Sequence, residues 1–317
     1  MLGTAALEIA TGLMCVVALF LGDRSGMALL GPTLAIVVGM SFAAVGLSVE
    51  HWVEVLGLSW PLLLALAVPM LVGSLNQVQL RWVERVGLST AALVGGVVAM
   101  QTLFDGEMFS SVGLFSHHLT LGYALVIPLA RALYLRSWIC ALAMATGVIS
   151  TGASGPVLAM VVVSVGLWNP LVALVGGMLF SVGIMWGLGA DEELAQRALL
   201  WATGMDLSLN ELWGTGPDGF RPAAMEVQQR LQPGFYFPFH AHDAFLQRSA
   251  IAGMAIWVAW GWFLMVLWRQ SHGPGRAALV GILVGGLTQD TLGDLEVIRG
   301  LCAWALLPLV DTESEKA

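Results

Sequence analysis

The chain is short of charge: only 11% of its 317 residues are Asp, Glu, Lys or Arg, against 58% hydrophobic, and the mean hydropathy is +0.83. Soluble domains carry about 25% charged residues, so this composition excludes an ordinary soluble fold and reads as a polytopic membrane protein. Lysine is nearly absent, Lys316 being the only one, while tryptophan reaches 13 residues, and tryptophan enrichment fits a chain with many bilayer interfaces. The formal charge of −8 says little about partners, because charges are partitioned by side of the membrane. The three cysteines, Cys15, Cys140 and Cys302, lie far apart inside apolar runs with no metal-ligand spacing. They read as packing residues facing lipid or core; no cofactor is expected. Internal repeats, low-complexity tracts and a separate soluble domain are also missing. Gly214-Thr215-Gly216 has neither a preceding strand nor a following Lys-Ser/Thr, which excludes a nucleotide loop; no nucleic-acid partner is expected. The first segment, about Thr4 to Leu21, carries Glu8 and no basic stretch before it, so it reads as a retained helix and not a cleaved signal.

What is present is a series of apolar runs, near 4–21, 27–47, 56–74, 86–104, 117–135, 170–189 and 246–268, each long enough to cross a bilayer. The stretch 137–168 is broken at Ser150 to Pro156 and reads as two short helices turning at one membrane face. Two weaker segments, 277–289 and 297–310, flank a polar patch. The expected fold is all-α, a helix bundle of about eleven transmembrane helices with one long helical outer loop. It divides into 1–189 (N-terminal helices), 190–245 (the large loop) and 246–317 (C-terminal helices and a short tail). Arg24, Arg81, Arg85, Arg131, Arg136, Arg269 and Arg276 fall on one side of this count. The positive-inside rule makes that side cytoplasmic, and the 190–243 loop, with eight acids against three arginines, periplasmic. The loop begins Asp191-Glu192-Glu193, an acidic helix start, and continues amphipathically through Arg197 to Trp201. Glycine-rich turns are expected at 213–220 and 232–234.

One stretch concentrates chemistry. From Phe237 to Gly253, histidines, an acid, an amide and an arginine crowd against the start of an apolar run. Read as a helix starting near Asp243, it places His242, Leu246, Ser249 and Gly253 on one stripe. His242 reads either as a base at an anion-friendly helix end or as an interfacial histidine. Asp243 could cap the helix, orient the neighbours of His242, or pair with Arg248; Gln247 lies in the same turn. Arg197 reads either as a phosphate ligand or as a solvated face stacking on Trp201.

Arg197 with Trp201, Gly214 with Gly216, His242 with Asp243, and Gly253, in that order, resemble the O-antigen ligase and O-antigen polymerase family of bacterial envelope glycosyltransferases. The segment Gly113 to Gly122, containing His117 and His118, is similar to the start of a mid-chain helix in that family. The resemblance spans about residues 110–310. It implies an inverting transfer of glycan from an undecaprenyl-pyrophosphate carrier to a sugar hydroxyl, on lipid A core or a growing glycan, at the periplasmic face of the inner membrane, without a metal. It also implies that His242 is the base and that Arg197, with Arg221, Arg230 or Arg248, holds the diphosphate. Asp243, Gln247, Trp201 and His118 would support them, and membrane lipids are a further expected partner of the chain. Two departures stand out: Asp243 where the family has Asn, Ser or Gln, and Ser154 where the broken helix has an arginine. The second leaves a catalytically inactive member as an alternative. A transporter is a further one, though it would be expected to show matched broken helices in two halves, and only 152–156 is broken. His117 and His118 with Asp105 and Glu107 lack zinc spacing, and the histidines read as an interfacial pair lining the donor cavity.

Overall fold

The computed structural model describes residues 30–43, 67–68, 70–72, 74–105, 117–187, 192–234, 241, 243–254, 256–289, 291 and 294–307. Among the described residues the regular structure is entirely helical, as expected for an all-α chain. The helices are α1 (Leu30–Ala43), α2 (Gln77–Asp105), α3 (His118–Tyr134), α4 (Trp138–Ser150), α5 (Ser154–Gly166), α6 (Pro170–Gly187), α7 (Glu192–Asn210), α8 (Pro217–Leu231), α9 (Ala244–Ala252), α10 (Ile256–Gln270), α11 (Gly273–Gly286) and α12 (Leu295–Ala305).

Helix α2 starts nine residues before the apolar run at 86–104, because Asn76 and Gln79 form a reciprocal capping box. Asn76 Oδ1 accepts from the Gln79 N–H and Gln79 Oε1 from the Asn76 N–H, both at 2.9 Å. At 29 residues it is about 43 Å long. Among the described residues, Gln77–Phe104 is the one segment both long and apolar enough to cross a bilayer by itself; Trp138–Ser150, Ser154–Gly166 and Pro170–Gly183 are apolar but shorter. The break foreseen in 137–168 falls at Thr151 to Ala153, with Ser154 opening α5. Asn169 caps α6 by accepting from the Leu171 N–H at 3.0 Å, ahead of a proline at the first helical position, where its missing N–H costs nothing.

Helices α2, α3, α4, α5, α6, α11 and α12 form the main bundle, with α3 and α11 at its centre. Buried faces of α3 and α11 meet through Tyr123, Ile127, Leu279 and Ile282. Backbones approach closely where side chains are small. A Cβ on Gly147 would lie 2.6 Å from Gly95 Cα, and one on Gly275 2.5 Å from the Ala305 carbonyl oxygen. Such small-residue seams suit helices whose association rests on van der Waals packing.

The contacts also fix direction. Thr120 meets Asp294, Gly122 meets Pro156 and Gly285 meets Tyr123, so the starts of α3, α5 and α12 and the end of α11 share one end of the bundle. Arg131 and Arg136 lie at the other end with Arg81, Arg85 and Arg276. There Arg131 is buried and paired with Glu84, and donates through Nη1 to the Leu307 carbonyl at 3.2 Å.

The run at 246–268 is not a continuous span: it breaks at Gly253, between α9 and α10. Gly253 has φ +81° and ψ 167°, a conformation essentially reserved for glycine. Its first half belongs to the loop. Helices α7, α8 and α9 enclose their own small core of Leu207, Phe220, Ala224, Val227, Ala250 and Ile251.

Candidate functional site

The break in the helix explains the glycine turn. Thr215 and Gly216 donate their N–H groups to the carbonyls of Ala250 and Ile251, at 2.8 and 2.9 Å, and Met254 N–H returns a bond to the Leu212 carbonyl at 3.2 Å. The terminal carbonyls of α9 are thus satisfied by the loop instead of by a further turn of helix. Gly214, at φ +80°, and Gly253 interlock: a Cβ on Gly214 would lie 2.5 Å from Gly253 N, and one on Gly253 2.7 Å from the Trp213 carbonyl carbon. The three glycines that suggested a motif are therefore gathered into one backbone clamp.

His242 lies outside the described residues, as do His240, Glu8, Cys15, Glu107 and Asp290. Its two neighbours are tightly held. Ala241 is buried and donates its N–H to Gln247 Oε1 at 2.7 Å. Asp243 is buried and caps α9, its Oδ1 accepting from the N–H groups of Phe245 and Leu246 at 2.8 Å. Of the three roles open to Asp243, the geometry supplies the helix cap. The stripe below residue 242 serves packing: Ser249 Oγ lies 2.5 Å from Ser208 Oγ, and Leu246 sits against Gly204 of α7.

The four arginines considered for a diphosphate occupy different settings. Arg197 is half-buried on α7, one turn before the half-buried Trp201, and its charge reaches the Tyr123 phenol, as does that of Asp294. Arg248 is buried, lining a small space with Phe245, Trp257 and Trp260, where Phe245 and Trp257 stack at 5.0 Å. Arg221 is exposed on α8, and Arg230 pairs with Asp206 at 2.6 Å on the module surface. Ser154 is exposed at the first position of α5, so a longer side chain there would project from the same end of the bundle as His117 and Asp294.

A cavity of about 270 Å³ opens at that end, lined by His117, Leu119, Thr120, Tyr123, Gln289, Thr291 and Asp294. Thr120 donates its hydroxyl proton to Asp294 Oδ2 at 2.5 Å, and Asp294 Oδ1 accepts from the Val297 N–H at 3.2 Å, starting α12. Tyr123 donates to the Gly285 carbonyl at 3.3 Å. Gly155 and Gly285 leave room for its ring, since a Cβ on either would collide with it. His117 caps α3, its Nδ1 accepting from the Leu119 N–H at 3.2 Å. His118 is half-buried and lies 4.1 Å from the His117 ring, centroid to centroid. Among the described residues no three His, Cys, Asp or Glu side chains converge as a metal site.

Sequence reasoning missed Thr120, Tyr123 and Asp294. The signal available was an acid three residues before the apolar Val297-Ile298 pair, an N-cap pattern, which says nothing of a partner on α3, 174 positions away. No protein-family model matches this chain, and no curated protein matches it either.

Proposed function

We propose that the chain is an inverting membrane glycosyltransferase of the O-antigen ligase or polymerase type, set in the bacterial inner membrane as a polytopic bundle. It would move a glycan from undecaprenyl pyrophosphate to a sugar hydroxyl at the periplasmic face. The observation that carries this reading is a polar cavity at the bundle end opposite the arginine-rich end; the charge of Arg197, on the loop helix α7, acts on the Tyr123 phenol that lines it. By the positive-inside rule the arginine-rich end is cytoplasmic and the cavity faces outward. The perimeter supports a lipid setting. Leu103 and Phe104 on α2, Ile139 on α4, Leu179 on α6 and Val258 on α10 are all more than two-thirds exposed, from 68% for Leu179 to 87% for Ile139, as side chains facing lipid would be. The short helices α4 and α5, at 13 residues each, reach about 20 Å, so the bilayer thins there or the pair enters from one face.

In this reading the acceptor oxygen attacks the anomeric carbon as the bond to the diphosphate breaks. The hydroxyl proton passes to His242, and Arg197 neutralises charge developing on the departing diphosphate. The test is carrier-linked glycan in cells whose only copy is His242→Ala, Arg197→Ala or Arg197→Lys. Carrier-linked glycan is expected to accumulate in all three, least in Arg197→Lys, which keeps the charge and loses the bidentate fork. Normal transfer in the first two removes the mechanism.

A further inference from the structure

The cavity between α3, α11 and α12 has a chemistry that the transfer mechanism does not use. Its walls combine one carboxylate, two threonine hydroxyls, a carboxamide and an imidazole, with the Tyr123 ring beneath. A divalent cation needs several oxygen ligands of higher total charge, and Asp294 is the only acid among the described lining residues. A diphosphate would meet that carboxylate at close range. An apolar chain would leave five polar side chains without solvent. What remains is a small neutral group rich in both donors and acceptors.

The donor and acceptor pattern can be taken further. Because Nδ1 of His117 accepts from the Leu119 N–H, the neutral imidazole carries its proton on Nε2 and offers a donor. Asp294 lines the cavity and its carboxylate accepts only, with about four lone-pair sites over two oxygens, so it is the wall's acceptor for a hydroxyl. Gln289 supplies both polarities on one planar group. A volume of about 270 Å³ lies just below the ~300–1,000 Å³ usual for small-molecule sites, which suits one ring and not an extended oligosaccharide.

We propose that this cavity binds a single sugar ring of the acceptor, with Asp294 accepting from a ring hydroxyl and His117 and Gln289 bonding its neighbours. The choice of a sugar among small polyols rests on the glycosyl-transfer reading. The geometry of the cavity does not.

The experiment uses the full chain in nanodiscs and saturation-transfer NMR with glucose, galactose, mannose and N-acetylglucosamine, each titrated against wild type, Asp294→Asn, Gln289→Ala and, as a control on an exposed face of α6 with open space at its Cβ, Gly176→Ala. Asparagine keeps the α12 cap, and thermal unfolding of each variant verifies the fold. At least one sugar is expected to bind saturably to wild type and Gly176→Ala, with affinity at least tenfold lower in Asp294→Asn and reduced in Gln289→Ala. Absence of saturable binding to folded wild type, equal binding by Asp294→Asn, or displacement of the sugar by inorganic diphosphate overturns the proposal. The two readings fail separately. Sugar binding without glycan transfer leaves the cavity assigned and removes the glycosyltransferase. Transfer with an acceptor KM unchanged in Asp294→Asn removes the cavity and leaves the enzyme.

Discussion

Gly253→Ala is the sharpest test of how the loop and the broken helix are joined. Alanine at φ +81°, ψ 167° costs about 1–3 kcal/mol in backbone strain alone. Its Cβ would also stand 2.7 Å from the Trp213 carbonyl carbon and 2.9 Å from Trp213 Cα, so the Leu212–Gly216 segment must retreat. That retreat stretches the bonds from Thr215, Gly216 and Met254, each worth about 0.5–1.5 kcal/mol net. Losing one of them brings the total to about 2–4 kcal/mol. Hydrogen exchange at the Thr215 and Gly216 amides reads the effect locally. Since about 1.4 kcal/mol is tenfold, 2 kcal/mol corresponds to roughly 30-fold faster exchange. Gly176→Ala, on an exposed face of α6 with no atom near its Cβ, is the control and should leave those amides unchanged. Combining Gly253→Ala with Gly214→Ala should cost less than the sum, because both displace the same contact. Exchange in Gly253→Ala within threefold of wild type, or strict additivity of the pair, would refute the clamp.

Gly155→Ala drives a Cβ into the Tyr123 hydroxyl and should lower stability by about 1–3 kcal/mol as overpacking; adding Tyr123→Phe should recover much of the loss in thermal unfolding. Glu84→Gln strands the buried Arg131 charge and should cost about 3–5 kcal/mol, whereas Glu84→Leu combined with Arg131→Met should be far less harmful than the single change. Asp243→Ala should destabilise α9 by about 1 kcal/mol and Asp243→Asn by much less. If Asp243→Asn were as harmful as alanine, the carboxylate charge and not the cap would be the important feature.

The helical class and the positions of α2 to α6 were legible because composition and apolar runs are local signals. Boundaries were legible where a cap was: Asp243 before α9 and the acidic start of α7 both appear in the structure as read. The 76–79 capping box was equally local and shows why α2 runs past its apolar core. The break at Gly253 was not legible, because an apolar run continues straight through it. What ends the helix is a glycine whose strain is matched by a turn about 40 positions earlier in the chain, and no periodicity reports such a pairing. Arg197 could be singled out as a cation, but not that its charge would act on Tyr123. Thr120 and Asp294 could not be paired at all, since their meeting depends on α3 and α12 running in the same direction from one bundle end.

These long-range contacts bear directly on how a reacting group could be held at residue 242. The backbone on either side of it is pinned, by Gln247 to Ala241 and by Asp243 to the first turn of α9. Helix α9 is in turn fixed at its far end by the Gly214–Gly253 clamp and along its side by Ser208 and Ser249. Gly204 sets the spacing, as its missing Cβ would sit 3.0 Å from the Cβ atoms of both Ala241 and Leu246. Arg197 lies two turns earlier on the same helix α7. The separation between α7 and the described residues that flank position 242 is therefore governed by the α7–α9 seam. A transfer reaction between a lipid-held donor and a sugar acceptor gains most from such preorganisation, because an ångström of misplacement can cost about 100-fold in rate. The clamp and the seam are thus where a substitution distant from every reacting atom would be felt first.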